Sequence, residues 1–290
     1  MKFLSSEQID KQKWDAKVLQ SDIENVFCYS WYLDAVCDHW GALVEDDYNT
    51  IVPIPYTNKL GVKQVIQPPF TRELDIFGKG FQWSDVLTEL KSNFKSIVFR
   101  NSSDQIANNA TERTHQYLDL ENIKYSTNAN RLIKKAQVYL YENGTHPKRL
   151  IDLFKGTAWT KIDSISEDDL NKLENLMSAG LKNGQGELIE VYDNGILIAA
   201  GYFLLDKKRV TYLKGASTDE GKKGGAMFGL MDVAIQKYKQ SGYQTFDFGG
   251  SDVENVANFY KKFGASDRSY YNYSIENLPL WFKLLKKLKG

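Results

Sequence analysis

Apolar and polar positions along this chain alternate at two periods, and the places where the period switches mark its elements. The second half is the clearer. Three strand-like runs follow one another, Gly186–Tyr192, Ile196–Leu205 and Arg209–Gly215, with Asp193-Asn194-Gly195 and Asp206-Lys207-Lys208 as hairpin turns. The middle run contains AAGYFLL, nearly all apolar, as a central strand requires. A glycine-rich turn at Gly221–Gly225 then opens a long helix predicted over Ala226–Ser241. Tyr243–Phe248 alternates aromatic and polar side chains and reads as a short strand, broken by Gly249, Gly250 and Ser251. Asp252 is placed to cap a helix that Gly264 ends, with Val256, Phe259, Tyr260 and Phe263 on one face. Tyr270–Ile275 is a last strand. Ahead of these runs come a helix over Asn128–Gln137, a strand over Val138–Glu142 and a helix over Pro147–Phe154 with proline at its start. The acids after Ser166 start a further helix that reaches about Leu181.

The first half predicts helices over Ile9–Val18, Tyr29–Trp40 (stopped by Gly41) and Ser84–Phe94. Strands are expected over Ala42–Val44, Thr50–Tyr56, Val62–Gln67, Lys95–Phe99 and Thr114–Leu120, with Pro68-Pro69 as a stop. The chain is therefore α+β, with mixed, mainly antiparallel sheets flanked by helices. The end, Leu278 to Gly290, is amphipathic: Trp281, Leu284, Leu285 and Leu288 share one side, and Lys283, Lys286, Lys287 and Lys289 cover the rest.

The stretch FDFGGSDVENVANFYKKFGA, from Phe246 to Ala265, carries a family resemblance. A strand, a glycine turn and a helix with Tyr before Lys-Lys-Phe-Gly-Ala resemble the last strand and helix of the GNAT acyltransferases. DFGGS together with FYKKFGA is similar to the FemAB branch, whose members carry two GNAT-like lobes and transfer amino acids onto peptidoglycan precursors. The order helix, three antiparallel strands, glycine-rich turn, helix, strand, helix, strand matches the GNAT order over residues 122–275. The resemblance implies two tandem lobes, residues 1–121 and 122–275, followed by a basic amphipathic helix over 276–290.

It also implies a site. Gly221, Lys222, Lys223, Gly224, Gly225 and Ala226 stand where GNAT proteins hold the pyrophosphate of coenzyme A, at amides ahead of a helix. Gly224 and Ala226 fit that pattern, and Gly221 stands where Gln or Arg is usual. Tyr260 matches the tyrosine that protonates a departing thiolate, or else is a core aromatic. Lys261 could meet a developing oxyanion. Glu190, like Glu187, lies on the first strand of the hairpin set as a candidate general base; Tyr212 and Lys214 lie on the third. Asp247 and Ser251 flank the DFGGS turn, where Asp247 could position an acceptor amine or cap the backbone. Arg131, Lys134 and Lys135 are a basic helix side, a footprint for phosphate or a solvated face.

Composition narrows the partners. The formal net charge is zero, which excludes a general nucleic-acid-coating protein. The charge is uneven, however: residues 1–120 carry 12 Lys and Arg against 17 Asp and Glu, and residues 121–290 carry 25 against 20. An anionic ligand is thus expected in the second half. The two cysteines and three histidines have no metal-ligand spacing, so no metal is expected. No apolar leader or membrane-length run is present, and a cytoplasmic protein is expected, peripheral to the inner membrane face if the last helix touches lipid. The function implied is transfer of an acyl or aminoacyl group to an amine of a cell-envelope or amino-sugar/peptide precursor. The donor would be acyl-CoA (acetyl-CoA) or aminoacyl-tRNA, and the acceptor a small-molecule or lipid-linked amine. The alternative is a non-catalytic GNAT-like binding or assembly protein.

Overall fold

The computed structural model describes residues 1–22, 24–103, 106, 110–157, 159, 165–250 and 254–289. In chain order the elements are β1 Lys2–Ser5, α1 Lys11–Gln20, α2 Ser30–Val36, β2 His39–Glu45, β3 Thr50–Lys59, β4 Val62–Val65, α3 Trp83–Asn93, β5 Ser96–Asn101 and β6 Ala110–Asp119. There follow α4 Thr127–Ala136, β7 Leu140–Gly144, α5 Pro147–Thr157, α6 Glu167–Lys182, β8 Gly186–Asp193, β9 Ile196–Leu205 and β10 Arg209–Ser217. The chain closes with α7 Asp219–Gly224, α8 Ala226–Gln240, β11 Thr245–Gly249, α9 Glu254–Lys261, β12 Ser266–Glu276 and α10 Leu280–Lys289.

Two compact units result, one of Met1–Arg113 with Ser269–Gly290, the other of Thr114–Arg268. By contacts, then, the last stretch of chain groups with the first, whereas the sequence-based division runs 1–121, 122–275 and 276–290. In unit 1 the strand order is β1-β2-β3-β4-β5-β12, antiparallel except for the parallel pair β4/β5. Its core gathers Trp14, Phe27, Tyr32, Val36 and Trp40, and the Trp14 indole N–H donates to the Cys28 carbonyl at 2.8 Å. The helix expected over Tyr29–Trp40 ends at Val36, and His39–Glu45 is a strand paired with Tyr56–Thr50. Gly41 is no helix stop. It lies mid-strand, where a Cβ would come within 2.5 Å of the Leu4 carbonyl oxygen, so close approach of β1 explains the glycine.

In unit 2 the order is β6-β11-β10-β9-β8-β7, again antiparallel except for the parallel pair β10/β11. Cross-strand partners share a face. Ile189, Phe203, Val210 and Phe246 form one face, packed with Leu230 and Ile235 of α8, Tyr260 of α9 and Phe263. Val256, expected in that stripe, is exposed. The other face carries Leu188, Tyr202 and Leu204 beneath α5 and α6, where the Tyr202 hydroxyl donates to the Met177 carbonyl at 2.7 Å. Ser166 starts α6 with a capping box formed with Asp169.

Candidate active site

The parallel pair β10/β11 is short. Arg209, Val210 and Thr211 pair with Thr245, Phe246 and Asp247, and there the register ends. β11 stops at Gly249, whose φ of 77° turns the chain away. β10 runs on to Ser217 through a bulge between Tyr212 and Lys214. Among the described residues, 212–217 pair with β9 alone. The sheet therefore opens between two parallel strands, and one side of β10 offers unpaired N–H and C=O groups to an extended ligand.

Strand parity decides which side chains flank this opening. On the α8 face stand Tyr212 and Phe248, joined by Tyr260 from α9. The rings of Phe248 and Tyr260 stack at 4.9 Å, and Tyr212 meets Tyr260 edge-on at 6.3 Å. Tyr260 is 8% exposed, and burial pushes its phenol above the ordinary range, with the Asp247 charge adding to the effect. Burial raises Tyr212 as well, and Tyr260 adds to it. The α5 face presents Arg209, Thr211, Asp247 and Lys214. One Asp247 oxygen accepts the Gly249 N–H at 2.9 Å, and the other lies 3.9 Å from Arg209, which binds Asp206 more closely at 2.8 Å. Asp247 thus caps the backbone at the turn, one of its two expected roles. Lys214 sits 3.4 Å from the centroid of the Phe154 ring, with no ion-pair partner among the described residues. Burial alone pushes its amine down to about 8.

The structure brings Tyr260, Tyr212 and Asp247 to one opening. Glu190 it places elsewhere. Glu190 pairs across to Ala200 and Ala216 on the α5 face, the face of Lys214 and Asp247 but two strands away from β10, where it accepts from Tyr192 Oη at 2.8 Å and Arg149 Nη1 at 3.3 Å. Its Oε1 is buried without a hydrogen bond. Glu187 takes the Tyr260 face, because an offset of three along a strand reverses the side. There Lys237 Nζ at 2.6 Å and the Tyr238 hydroxyl at 2.8 Å hold it. Lys261 points outward and pairs with Asp267 at 2.8 Å. Ser251 lies outside the described residues.

The open glycine turn expected at 221–225 is corrected to a helix. α7 is capped by Thr218, whose hydroxyl accepts the Gly221 N–H at 3.0 Å, and Gly225, with φ 82°, joins it directly to α8. Gly221, Gly224, Gly225 and Ala226 are buried. A Cβ at Gly224 would meet the Tyr139 hydroxyl, and one at Gly225 would lie 2.9 Å from the Leu132 carbonyl oxygen. The glycines make room for the protein's own chain. Lys222 pairs with Asp219 at 2.9 Å, and Lys135 donates to the Lys223 carbonyl at 2.8 Å. These residues do not fit a pyrophosphate cradle. Lys214, by contrast, had a legible signal, a lone cation on a strand next to a hydrophobic run, but its burial depends on Phe154, which is distant in sequence.

Residues 138–262 match the family model described as an acetyltransferase (GNAT) domain. Among solved structures, the chain is similar to FemX, at 12% identity and TM-score 0.67, covering 99% of each chain. It is also similar to the C-terminal domain of a putative lysylphosphatidylglycerol synthetase from Agrobacterium fabrum, at 12% identity and TM-score 0.59, covering 93% of this chain and 92% of that one. A tandem GNAT protein from the clavulanic acid biosynthesis pathway aligns at 9% identity and TM-score 0.55 over 96% and 99%. At such identities the likeness is one of fold. No curated protein matches the sequence. Among the described residues, no group of His, Cys, Asp and Glu could hold a metal ion, and no helix is long and apolar enough to cross a membrane.

Proposed function

We propose that this chain, a two-lobe protein of the FemAB-like GNAT fold, transfers an acyl or aminoacyl group onto an amine of a cell-envelope or amino-sugar/peptide precursor. The observation that carries the reading is the opening between β10 and β11, flanked by Tyr212, Tyr260, Asp247 and Lys214. An extended donor lies along the free side of β10 and its carbonyl carbon reaches the opening. The acceptor arrives as an ammonium and loses a proton to the neutral amine of Lys214, which burial makes available near neutral pH. The freed amine attacks the carbonyl directly, forming the C–N bond as the bond to the leaving oxygen or sulfur breaks. Tyr260 gives its proton to that leaving atom and regains one from the nitrogen, which sheds its second proton on becoming an amide. The main contribution of the protein is positioning.

The donor is an aminoacyl ester or an acyl thioester. One observation favours the ester: the 221–226 segment is filled by packing. The neighbours FemX and a putative lysylphosphatidylglycerol synthetase agree with an aminoacyl donor and with a lipid-linked or peptide acceptor. Thermal shift with acetyl-CoA and with aminoacyl-tRNA separates the cases. Stabilisation by aminoacyl-tRNA that fades steeply with salt supports the ester reading. Stabilisation by acetyl-CoA supports the thioester. No response to either overturns the proposal and leaves the non-catalytic binding protein, a reading that the filled glycine segment favours.

A further inference from the structure

The apolar side of α10 faces outward. Phe282, at 4% exposure, and Leu278 before it pack with Val62 of β4 and hold the helix to unit 1. Leu280, Trp281, Leu284 and Leu285 are exposed, at 81%, 47%, 62% and 40%. At the helical repeat, positions 280, 284, 281 and 285 occupy one arc of about 140°. Positions 283 and 287 border that arc on one side, and both are lysine. No acid occurs after Glu276, which already pairs with Lys283 at 3.2 Å. A helix that served only to close its own unit would turn this arc inward. Here a single aromatic does that work, and the large apolar side is left in water.

We propose that α10 docks the protein on an anionic lipid surface, with Leu280, Trp281, Leu284 and Leu285 entering the headgroup boundary and the bordering lysines meeting lipid phosphates. Both halves of the pattern fit that partner: apolar side chains reach the acyl region while lysine stems let their ammonium groups rise to the phosphates. Trp281 suits the boundary, with an apolar ring and one N–H donor. A second copy of the chain fits worse. It would bring an identical lysine-bordered arc, cation against cation, with no acid on α10 to pair. The inference stands apart from the acyl-transfer reading.

Co-sedimentation of the full chain with vesicles tests it. Vesicles of phosphatidylglycerol mixed with phosphatidylcholine are expected to carry the protein down, reversibly and less so at high salt, whereas phosphatidylcholine alone does not. Replacing Leu284 and Leu285 together by Glu, at positions already exposed, is expected to cut binding more than tenfold with an unchanged thermal midpoint. Lys283→Gln and Lys287→Gln are each expected to weaken binding about fivefold. Binding that ignores the Leu284/Leu285 change, or that is equal on uncharged vesicles, overturns the proposal. So does a dimer in sedimentation velocity that the same double change dissolves, which would assign the face to a second copy.

Discussion

The two units share one strand plan and differ at one place. In each, four antiparallel strands (β1 to β4, or β7 to β10) lead to a single parallel neighbour (β5, or β11), and an antiparallel strand completes the sheet (β12, or β6). In unit 1, β4 ends at Val65, just before Pro68-Pro69, and the chain itself then takes the vacated side of β5. Leu74 donates its N–H to the Arg100 carbonyl at 2.9 Å, and Asn101 donates to the Leu74 carbonyl at 2.8 Å. Asp75 is fixed there by the amides of Asn25 and Asn101, each at 2.8 Å. In unit 2 the long β10 continues past the last residue paired with β11, and among the described residues no other strand pairs with it on that side. A duplicated topology thus yields one seam whose strand edge is hydrogen-bonded by the chain itself, beside a cavity of about 270 Å³ lined by Asp75, Trp83 and Asn101, and one whose strand edge is left without a partner strand among the described residues.

The largest expected effect tests the seam of unit 2. Tyr260→Phe keeps the ring stacked on Phe248 and removes only the hydroxyl, so kcat should fall by about 10²–10⁴-fold with no change in thermal midpoint. An unchanged rate would make Tyr260 a core residue and erase the chemical distinction between the units. The seam of unit 1 should behave in the opposite way. Asp75→Asn keeps one acceptor but sets its NH2 against one of the two amide donors, and should cost about 1–3 kcal/mol of stability, read by denaturant melts, while kcat is preserved. Gly225→Ala should cost a similar 1–3 kcal/mol, because alanine must adopt a φ of 82° against the Leu132 carbonyl. Lost donor affinity at unchanged stability would instead make that segment a ligand cradle.

The smallest effect is on pH dependence. Burial lowers the Lys214 amine to about 8, below its unfolded value, so the unfolded chain binds more protons between those two values. Lys214→Met should therefore raise the thermal midpoint by about 2–4 °C near pH 7, and the gap should close as pH rises from 8 towards the unfolded value. In wild type, the rate should climb through an apparent pKa near 8, since the neutral amine is the base.

Periodicity and turn chemistry exposed most of the elements, because local sequence chooses them. The hairpin set β8–β10, the Ser166 cap and the Phe246–Ala265 resemblance all lie where strand, turn and helix signals agree with one another. The match of 138–262 to a GNAT domain bears that resemblance out. The misreadings share a cause. Trp40-Gly41 looked like a helix end, yet pairing with β3 and the close approach of β1 made it a strand. The glycines at 221–225 look like a phosphate loop in the sequence, but the atoms they accommodate include those of Leu132, Tyr139 and Ile198, remote in sequence. The elements that carry Tyr260, Tyr212 and Asp247 were legible because the pattern states the face of each. The face of Glu190 was not, since it follows only from counting parity across paired strands.

The exchange of closing strands has a consequence for biosynthesis. Unit 1 is completed by β12, which pairs Tyr271–Glu276 with Asn101–Ser96, so its nascent sheet lacks this partner for β5 until residues 271–276 have left the ribosome. During translation that exposed border would invite intermolecular pairing, and a fragment ending near Arg113 should aggregate where the chain of 290 residues does not.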